Sequence, residues 1–183
     1  IYEDTYGEQW SGVLPTGGGL MRCDPKSGKK TVYKHDPSDP KSLIDDRVYC
    51  VHGDHLGAIW IGTHEGLERF DRATNTFVHY THDEKILTSL SDNWVWPIFE
   101  DRSGILWVGT MRGGLNRFDR TTGSFTHFRH DETDPQSLGD DRIFSLYQDQ
   151  SGMIWFGTGD HGIDRFHPEF NAFWRFAHDP SNS

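Results

Sequence analysis

The 183 residues suffice for one ordinary domain with a real core, yet only 34% are aliphatic, aromatic or cysteine while aromatics alone make up 14%, so burial must rest on large rings rather than Leu-rich helices. A formal charge of −10, with Asp and Glu spread along the chain, argues against nucleic acid, an anionic membrane surface or an acidic polymer as partner, because phosphate binding needs a basic face. No apolar stretch nears the roughly 20 residues of a membrane span, and Ile1 to Trp10 lack the basic and apolar regions of a signal peptide.

The chain opens inside a strand-like segment without an initiator Met, and so reads as a soluble piece of something longer. From that start, one phrase recurs four times: Asp4-x-x-Gly7-x-x-Trp10, Asp54-x-x-Gly57-x-x-Trp60, Asp101-x-x-Gly104-x-x-Trp107 and Asp149-x-x-Gly152-x-x-Trp155, with the tryptophans 50, 47 and 48 residues apart. Two residues beyond each Trp stands a glycine (Gly12, Gly62, Gly109, Gly157), then a phrase centred on Arg22, Arg69, Arg117 or Arg165, then His35-Asp36, His82-Asp83, His130-Asp131 or His178-Asp179. The segments Ala58 to Gly62, Ile105 to Gly109 and Met153 to Gly157 are short continuous apolar runs, too short for helices and suited to strands buried on both faces. Preceding runs such as Trp96 to Glu100 and Phe144 to Gln148, and following ones such as Leu115 to Phe118 and Phe125 to Phe128, raise the count to four strands per unit, that of a propeller blade. Four residues after Asp24, Asp71, Asp119 and His167 come Gly28, Asn75, Gly123 and Asn171, residue types that tolerate positive φ and so predict a tight hairpin at the same place in each unit. Sustained helical periodicity is missing. The predicted fold is all-β: four tandem four-stranded antiparallel blades at approximately 1–48, 49–95, 96–143 and 144–183, forming one partial, open propeller or a ring closed by self-association.

The segment Ser91-Asp-Asn-Trp-Val-Trp-Pro-Ile-Phe-Glu-Asp-Arg-Ser-Gly-Ile-Leu-Trp-Val-Gly-Thr110, followed by Gly114-Leu-Asn-Arg-Phe-Asp119, closely resembles the two-component regulator propeller repeat. The resemblance extends over the whole chain and is most specific in the second to fourth units. The first departs from it, with Trp10-Ser-Gly-Val, Cys23 in place of Phe, and a longer loop from Val13 to Gly19. The resemblance implies a bacterial sensor, in which periplasmic or extracellular propellers precede a membrane span and a cytoplasmic histidine kinase, often with a fused response regulator. Many such sensors detect polysaccharide breakdown products, so it further implies a small-molecule ligand such as an oligosaccharide and places any kinase activity outside this chain. A protein-interaction or dimerisation scaffold is the main alternative, and a glycan lyase or hydrolase a more remote one.

A residue needed once per unit is most simply part of the blade. The Asp4 series is therefore read as turn-forming through side-chain bonds to the backbone, and the Arg22 series as pairing with carboxylates. The His-Asp pairs, one per unit, should be splayed around the ring rather than converge as metal ligands. Cys23 and Cys50 lie outside any metal spacing, and no strained Ser or Cys elbow, singled-out carboxylate pair or phosphate loop is present. No catalytic residue, metal or cofactor is expected. Positions that break the repeat, on the two sets of loops expected to open around the channel, are the binding candidates: Arg47 beside Asp46, Asn93, Trp94, Asp141 and Arg142 before the innermost strands, and Leu14 to Gly18, His64, Glu65, Arg112 beside Met111, Asp160 and His161 between the second and third strands. Four blades cover little more than half of a seven-bladed ring at about 50° each. The missing blades are therefore expected from a longer chain, or two copies pair head to tail.

Overall fold

In the computed structural model, which describes residues 1–13, 18–167 and 172–176, every regular element is a strand. The first sheet holds β1 (Tyr2–Glu3), β2 (Gln9–Gly12), β3 (Leu20–Cys23) and β4 (Lys30–Tyr33), and the second β5 (Val48–Gly53), β6 (Ile59–Thr63), β7 (Leu67–Asp71) and β8 (Thr76–Tyr80). The third holds β9 (Val95–Glu100), β10 (Leu106–Thr110), β11 (Leu115–Asp119) and β12 (Ser124–Phe128), and the fourth β13 (Ile143–Gln148), β14 (Ile154–Thr158), β15 (Ile163–His167) and β16 (Ala172–Phe176). Strands adjacent in sequence pair antiparallel within each sheet. The first strands of successive sheets, β5, β9 and β13, lie against one another on the inner side. The sheets are thus stacked blades, face against face. Most of the 14–18 loop, Asn171 and the His178-Asp179 pair lie outside the described residues.

The aspartate of each repeat closes a turn and anchors the tryptophan six residues on. The Oδ1 of Asp54 accepts the backbone N–H groups of Leu56 (3.0 Å) and Ala58 (2.8 Å), which closes the turn at Gly57 (φ 82°), while its Oδ2 accepts the indole N–H of Trp60 at 2.8 Å. Asp4, Asp101 and Asp149 do the same for Trp10, Trp107 and Trp155, at 2.7, 2.8 and 2.7 Å. The expected turn role therefore holds, with the indole bond as an addition. A satisfied N–H lets the ring enter an apolar interface without an orphaned donor. Trp10, Trp60 and Trp107 are at most 1% exposed, each 5.1–5.3 Å from a phenylalanine of the next blade: Phe70, Phe118 and Phe166.

The glycine after each Trp has a steric reason. A Cβ on Gly62 would come within 2.8 Å of Val95, and one on Gly109 within 2.7 Å of Ile143, both on the first strand of the following blade. The hairpins between third and fourth strands carry the left-handed residue where expected, at Gly28 (φ 70°), Asn75 (φ 59°) and Gly123 (φ 70°). Continuous burial is also found in β6 and β10 but not in β14, where burial alternates and no blade among the described residues covers the outer face.

The linking loops repeat their own device. Asp36, Asp83 and Asp131 receive the hydroxyls of Ser42, Ser89 and Ser137 on their main chain, His35, His82 and His130 bond through Nδ1 to the carbonyls of Leu43, Leu90 and Leu138, and those leucines are fully buried. Buried Glu68, Asn116 and Asp164 accept the N–H groups of Ile44, Ser91 and Gly139 just beyond. The His-Asp pairs thus close loops, and among the described residues no group of three or more His, Cys, Asp or Glu is placed to hold a metal.

The arginine series corrects the sequence reading. Arg22 pairs with Glu8 at 2.6 Å, but Arg69 and Arg117 are exposed and make no ion pair among the described residues, while Arg165 lies over Trp155 and Trp174 at 5.8 and 5.3 Å. Carboxylates are met instead by Arg72 and Arg120, one residue past the third strand, which reach across blade interfaces. Arg120 bonds Asp54 (2.6 Å) and Glu100 (2.5 Å), and Arg72 bonds Asp4 and Glu8. The reason is geometric: in the Arg22 series the side chain leaves the strand beside the Trp, whereas the hairpin residue projects toward the preceding blade's turn. At the third interface the matching residue is Pro168, and there Arg102 bonds Gln148 and Gln150 through its main-chain N–H and guanidinium.

Two outcomes follow. Asp54→Ala is expected to cost on the order of 3 kcal/mol and Asp101→Ala about 1–2 kcal/mol, since both lose the indole and turn bonds but only the former also takes from Arg120 its carboxylate across the interface, leaving it Glu100 alone; equal losses in urea denaturation would refute the clasp. Hydrogen bonds from Ser151 and Trp155 hold the Asp149 carboxyl at about 2, below the ordinary 3.8. Its contribution is present above pH 4 and disappears as pH falls through about 2, so Asp149→Asn should flatten the decline of Tm between pH 4 and 2.

Candidate functional site

Two sets of loops meet at the inner end of each blade: those entering the first strands and those joining the second to the third. In the second blade Arg47 spans them. Its guanidinium bonds both Asp45 oxygens (2.9 and 2.7 Å) and Glu65 (3.1 Å). The fourth blade repeats this with Arg142, which bonds Asp140 (3.3 and 2.9 Å) and Asp160. Burial would raise the Asp45 and Asp140 carboxyls, but the paired guanidiniums hold them below the usual range, and both arginines are raised in turn. Each clasp satisfies itself.

The third blade breaks the pattern. Asp92 takes the place of Asp45 and Asp140, but Trp94 stands where the others have arginine, and Arg112 where they have an acid. Asp92 Oδ2 and the Trp94 indole N–H are buried without a hydrogen-bond partner among the described residues. Arg112 is exposed and makes no ion pair among the described residues, although Met111 beside it donates its N–H to the Trp94 carbonyl at 3.0 Å. An unpaired acceptor, an unpaired donor and an unpaired cation therefore share one blade end, where both neighbours have none to spare.

Trp94 also belongs to an aromatic cluster. It lies 4.8 Å from His64 and 6.0 Å from Tyr49, which stacks on Trp96 at 5.2 Å and 8°, and Trp96 meets Phe144 edge-on at 5.7 Å. Tyr49, Trp96 and Phe144 occupy the second position of β5, β9 and β13, so three blades give one ring each to the inner face. His64 is tied to Glu65 at 3.0 Å.

Of the residues predicted from sequence, Arg47, His64, Glu65, Trp94 and Arg112 are thus placed around the second and third blades. Arg142, Asp160 and His161 form the separate fourth-blade group, in which His161 stacks on His130 at 5.8 Å. Asn93 and Asp141, like Asp46, hold the linking loops in place, because their side chains accept the N–H of His82 (2.6 Å), His130 (2.7 Å) and His35 (2.7 Å). Residue spacing alone missed Tyr49, Asp92, Trp96 and Phe144. A signal did exist in the recurring Asp45-x-Arg47, Asp92-x-Trp94, Asp140-x-Arg142, whose middle member is the odd one. A groove of about 520 Å³ lies elsewhere, at the rim between His82 to Leu87 and His127 and Arg129. It is open and lies between one linking loop and the end of β12, so we favour the inner face on chemical grounds.

Stacked antiparallel four-stranded sheets with first strands innermost define the chain as part of a β-propeller. It carries the repeat of the two component regulator propeller family, whose model matches residues 42–65, 89–112 and 137–160, each match running from a linking serine to the axial loop of the next blade. The chain is similar to the extracellular domain of a protein of B. thetaiotaomicron described as a hybrid two component system, with 26% identity and a TM-score of 0.76 over 93% of this chain and 22% of that one. A second such domain of the same organism matches at 24% identity and TM-score 0.78, over 96% and 24%. Virginiamycin B lyase from Staphylococcus aureus shares the fold at 16% identity and TM-score 0.72, over 98% of this chain and 55% of that one. The chain therefore spans about a quarter of the length of these two extracellular domains. No curated protein matches it.

Trp94→Arg should restore the clasp, pairing Asp92 as Asp45 and Asp140 are paired, and raise stability by about 0.5–1 kcal/mol. A destabilised variant in urea denaturation would show that the Trp94 ring is needed for packing instead.

Proposed function

We propose that this chain is the ligand-sensing propeller portion of a two-component regulator, placed outside the cytoplasm, and that a small molecule such as an oligosaccharide is recognised at the inner end of the third blade. The single observation that carries this is the contrast between blades: the Arg47 and Arg142 clasps are closed, while Asp92, Trp94 and Arg112 keep unspent hydrogen-bonding capacity beside a four-ring aromatic surface. A pyranose has an apolar face to lay on a tryptophan or tyrosine ring and hydroxyls that both donate to a carboxylate and accept from an indole or guanidinium. The extracellular placement of the similar domains supports the same reading. Signal output is assigned to a kinase beyond this chain, and binding rather than a reaction to the site.

A thermal-shift screen against neutral oligosaccharides tests it, since a ligand bound only by the folded form raises Tm. The expected result is a shift at ligand concentrations well above Kd that Trp94→Ala with Arg112→Ala abolishes, while Arg142→Ala, in the closed fourth-blade clasp, retains it. A shift unchanged in the double variant would place binding elsewhere.

A further inference from the structure

Each of the three described linking loops is held to the blade that follows it by a matched pair of side chains on that blade's third and fourth strands. The third-strand member accepts a loop N–H: Glu68 from Ile44 (3.0 Å), Asn116 from Ser91 (3.0 Å) and Asp164 from Gly139 (2.6 Å). The fourth-strand member, opposite it in register, reaches a loop carbonyl: His79 bonds Pro40 (3.0 Å), His127 bonds Ser89 (2.6 Å) and Arg175 bonds Ser137 (3.0 Å). These latches differ in their proton chemistry. Asn116 with His127 forms with both side chains uncharged, and Arg175 carries a permanent charge beside Asp164. In the second blade a carboxyl group with no exposed surface faces an imidazole instead: Glu68 Oε2 lies 3.2 Å from His79 Nδ1, and neither atom has another partner among the described residues.

The Pro40 carbonyl can only accept, so His79 Nε2 carries a hydrogen. With no further proton on the pair, the Nδ1 lone pair would point at a buried carboxylate oxygen, and two acceptors would meet at 3.2 Å. One more proton, on either atom, turns that clash into a hydrogen bond. We propose that Glu68 and His79 share one proton that latches the linking loop 34–47 onto the second blade, and that loss of this proton releases the loop, a pH-sensitive element that the other two described loops lack. Ile44 stands three residues before Arg47, so the latched segment runs directly into the clasp that closes the inner end of this blade. The groups facing the pair do not replace the proton. On β6 the register partner of Glu68 is Ile61, and Asp45 of the loop adds a like charge that Arg47 already meets. His35, Asp36 and Asp39 line the groove beside His79, but His35 Nδ1 is bonded to the Leu43 carbonyl, and the aspartate Oδ1 atoms accept the N–H groups of Ser38 and Lys41. Burial raises the Glu68 carboxyl, and the bond to Glu68 raises His79 above its ordinary 6.5. A group raised on folding contributes fully below its ordinary value and loses that contribution as pH climbs through the folded one. The loop is therefore held at acidic and neutral pH and loosens on the alkaline side of 6.5.

Hydrogen–deuterium exchange of the full chain, read at single amides between about pH 6 and pH 9 and corrected for the intrinsic base-catalysed rate, tests this. Protection of the Ile44 N–H should fall at least about tenfold across that range, while that of the Ser91 N–H, held by Asn116, should change less than about twofold. Glu68→Gln converts the pair to the type of Asn116 and His127: its amide oxygen still accepts from Ile44 and its amide nitrogen donates to Nδ1, so the Ile44 profile should become as flat as that of Ser91. His79→Arg, which imitates Arg175 with a permanent charge, should flatten the profile as well, and it decides the question should the glutamine variant fail to fold. A flat Ile44 profile in the parent chain overturns the proposal, as does a fall of the same size that persists in a folded variant. An equal loss of protection at Ser91 also overturns it, because alkaline opening would then be general rather than the work of this latch.

Discussion

The hydrogen bond from the second-strand tryptophan of each blade to the aspartate six residues earlier is the contact on which this stack rests. One carboxylate closes the turn between first and second strands and satisfies the only polar atom of a ring that must enter the next interface. Without that partner, each blade would bury an orphaned donor against its neighbour's phenylalanine. With it, large rings supply the core of a chain that is only 34% hydrophobic. The glycine two residues on then lets the following first strand approach, so turn chemistry, ring burial and blade spacing are set by one short phrase.

Around this repeated apolar contact the electrostatics differ from one interface to the next. Arg72 and Arg120 clamp the turns of the preceding blades, and at the last internal interface Arg102 and Gln148 take over with main-chain and amide bonds. His55 and Glu100 add a pair at 2.7 Å across the second interface. Such variation keeps neighbours in register without altering the core, and it means that departures from the repeat are not in themselves functional. What distinguishes the third blade is that its departure leaves groups unsatisfied. Asn93 also departs from the aspartate at its position, yet it makes the same bond as Asp46 and Asp141.

Strand number, hairpin residues and the turn role of the aspartates were legible because each depends on local geometry that recurs in every unit, and a constraint repeated four times stands out from accidental composition. The arginine series misled for the same reason: its recurrence marked a blade position, while the pairing carboxylates sit across an interface that separates Arg120 from Asp54 by 66 residues. Binding residues were legible only as loop positions. Asn93 and Trp94 are adjacent, and nothing local tells that one side chain ends on a histidine N–H while the other ends unpaired.

What this chain's sequence determined by itself is the blade, its strands, its turns and the periodic Trp-x-Gly core, because those follow from near-neighbour sterics and from hydrogen bonds reaching six residues or fewer. Only the tertiary structure decided which polar groups at the inner face cancel one another and that Tyr49, Trp96 and Phe144 form one aromatic surface. Those outcomes depend on how separate blades face each other. Residues 47 or 48 positions apart become neighbours there through packing rather than chain connectivity.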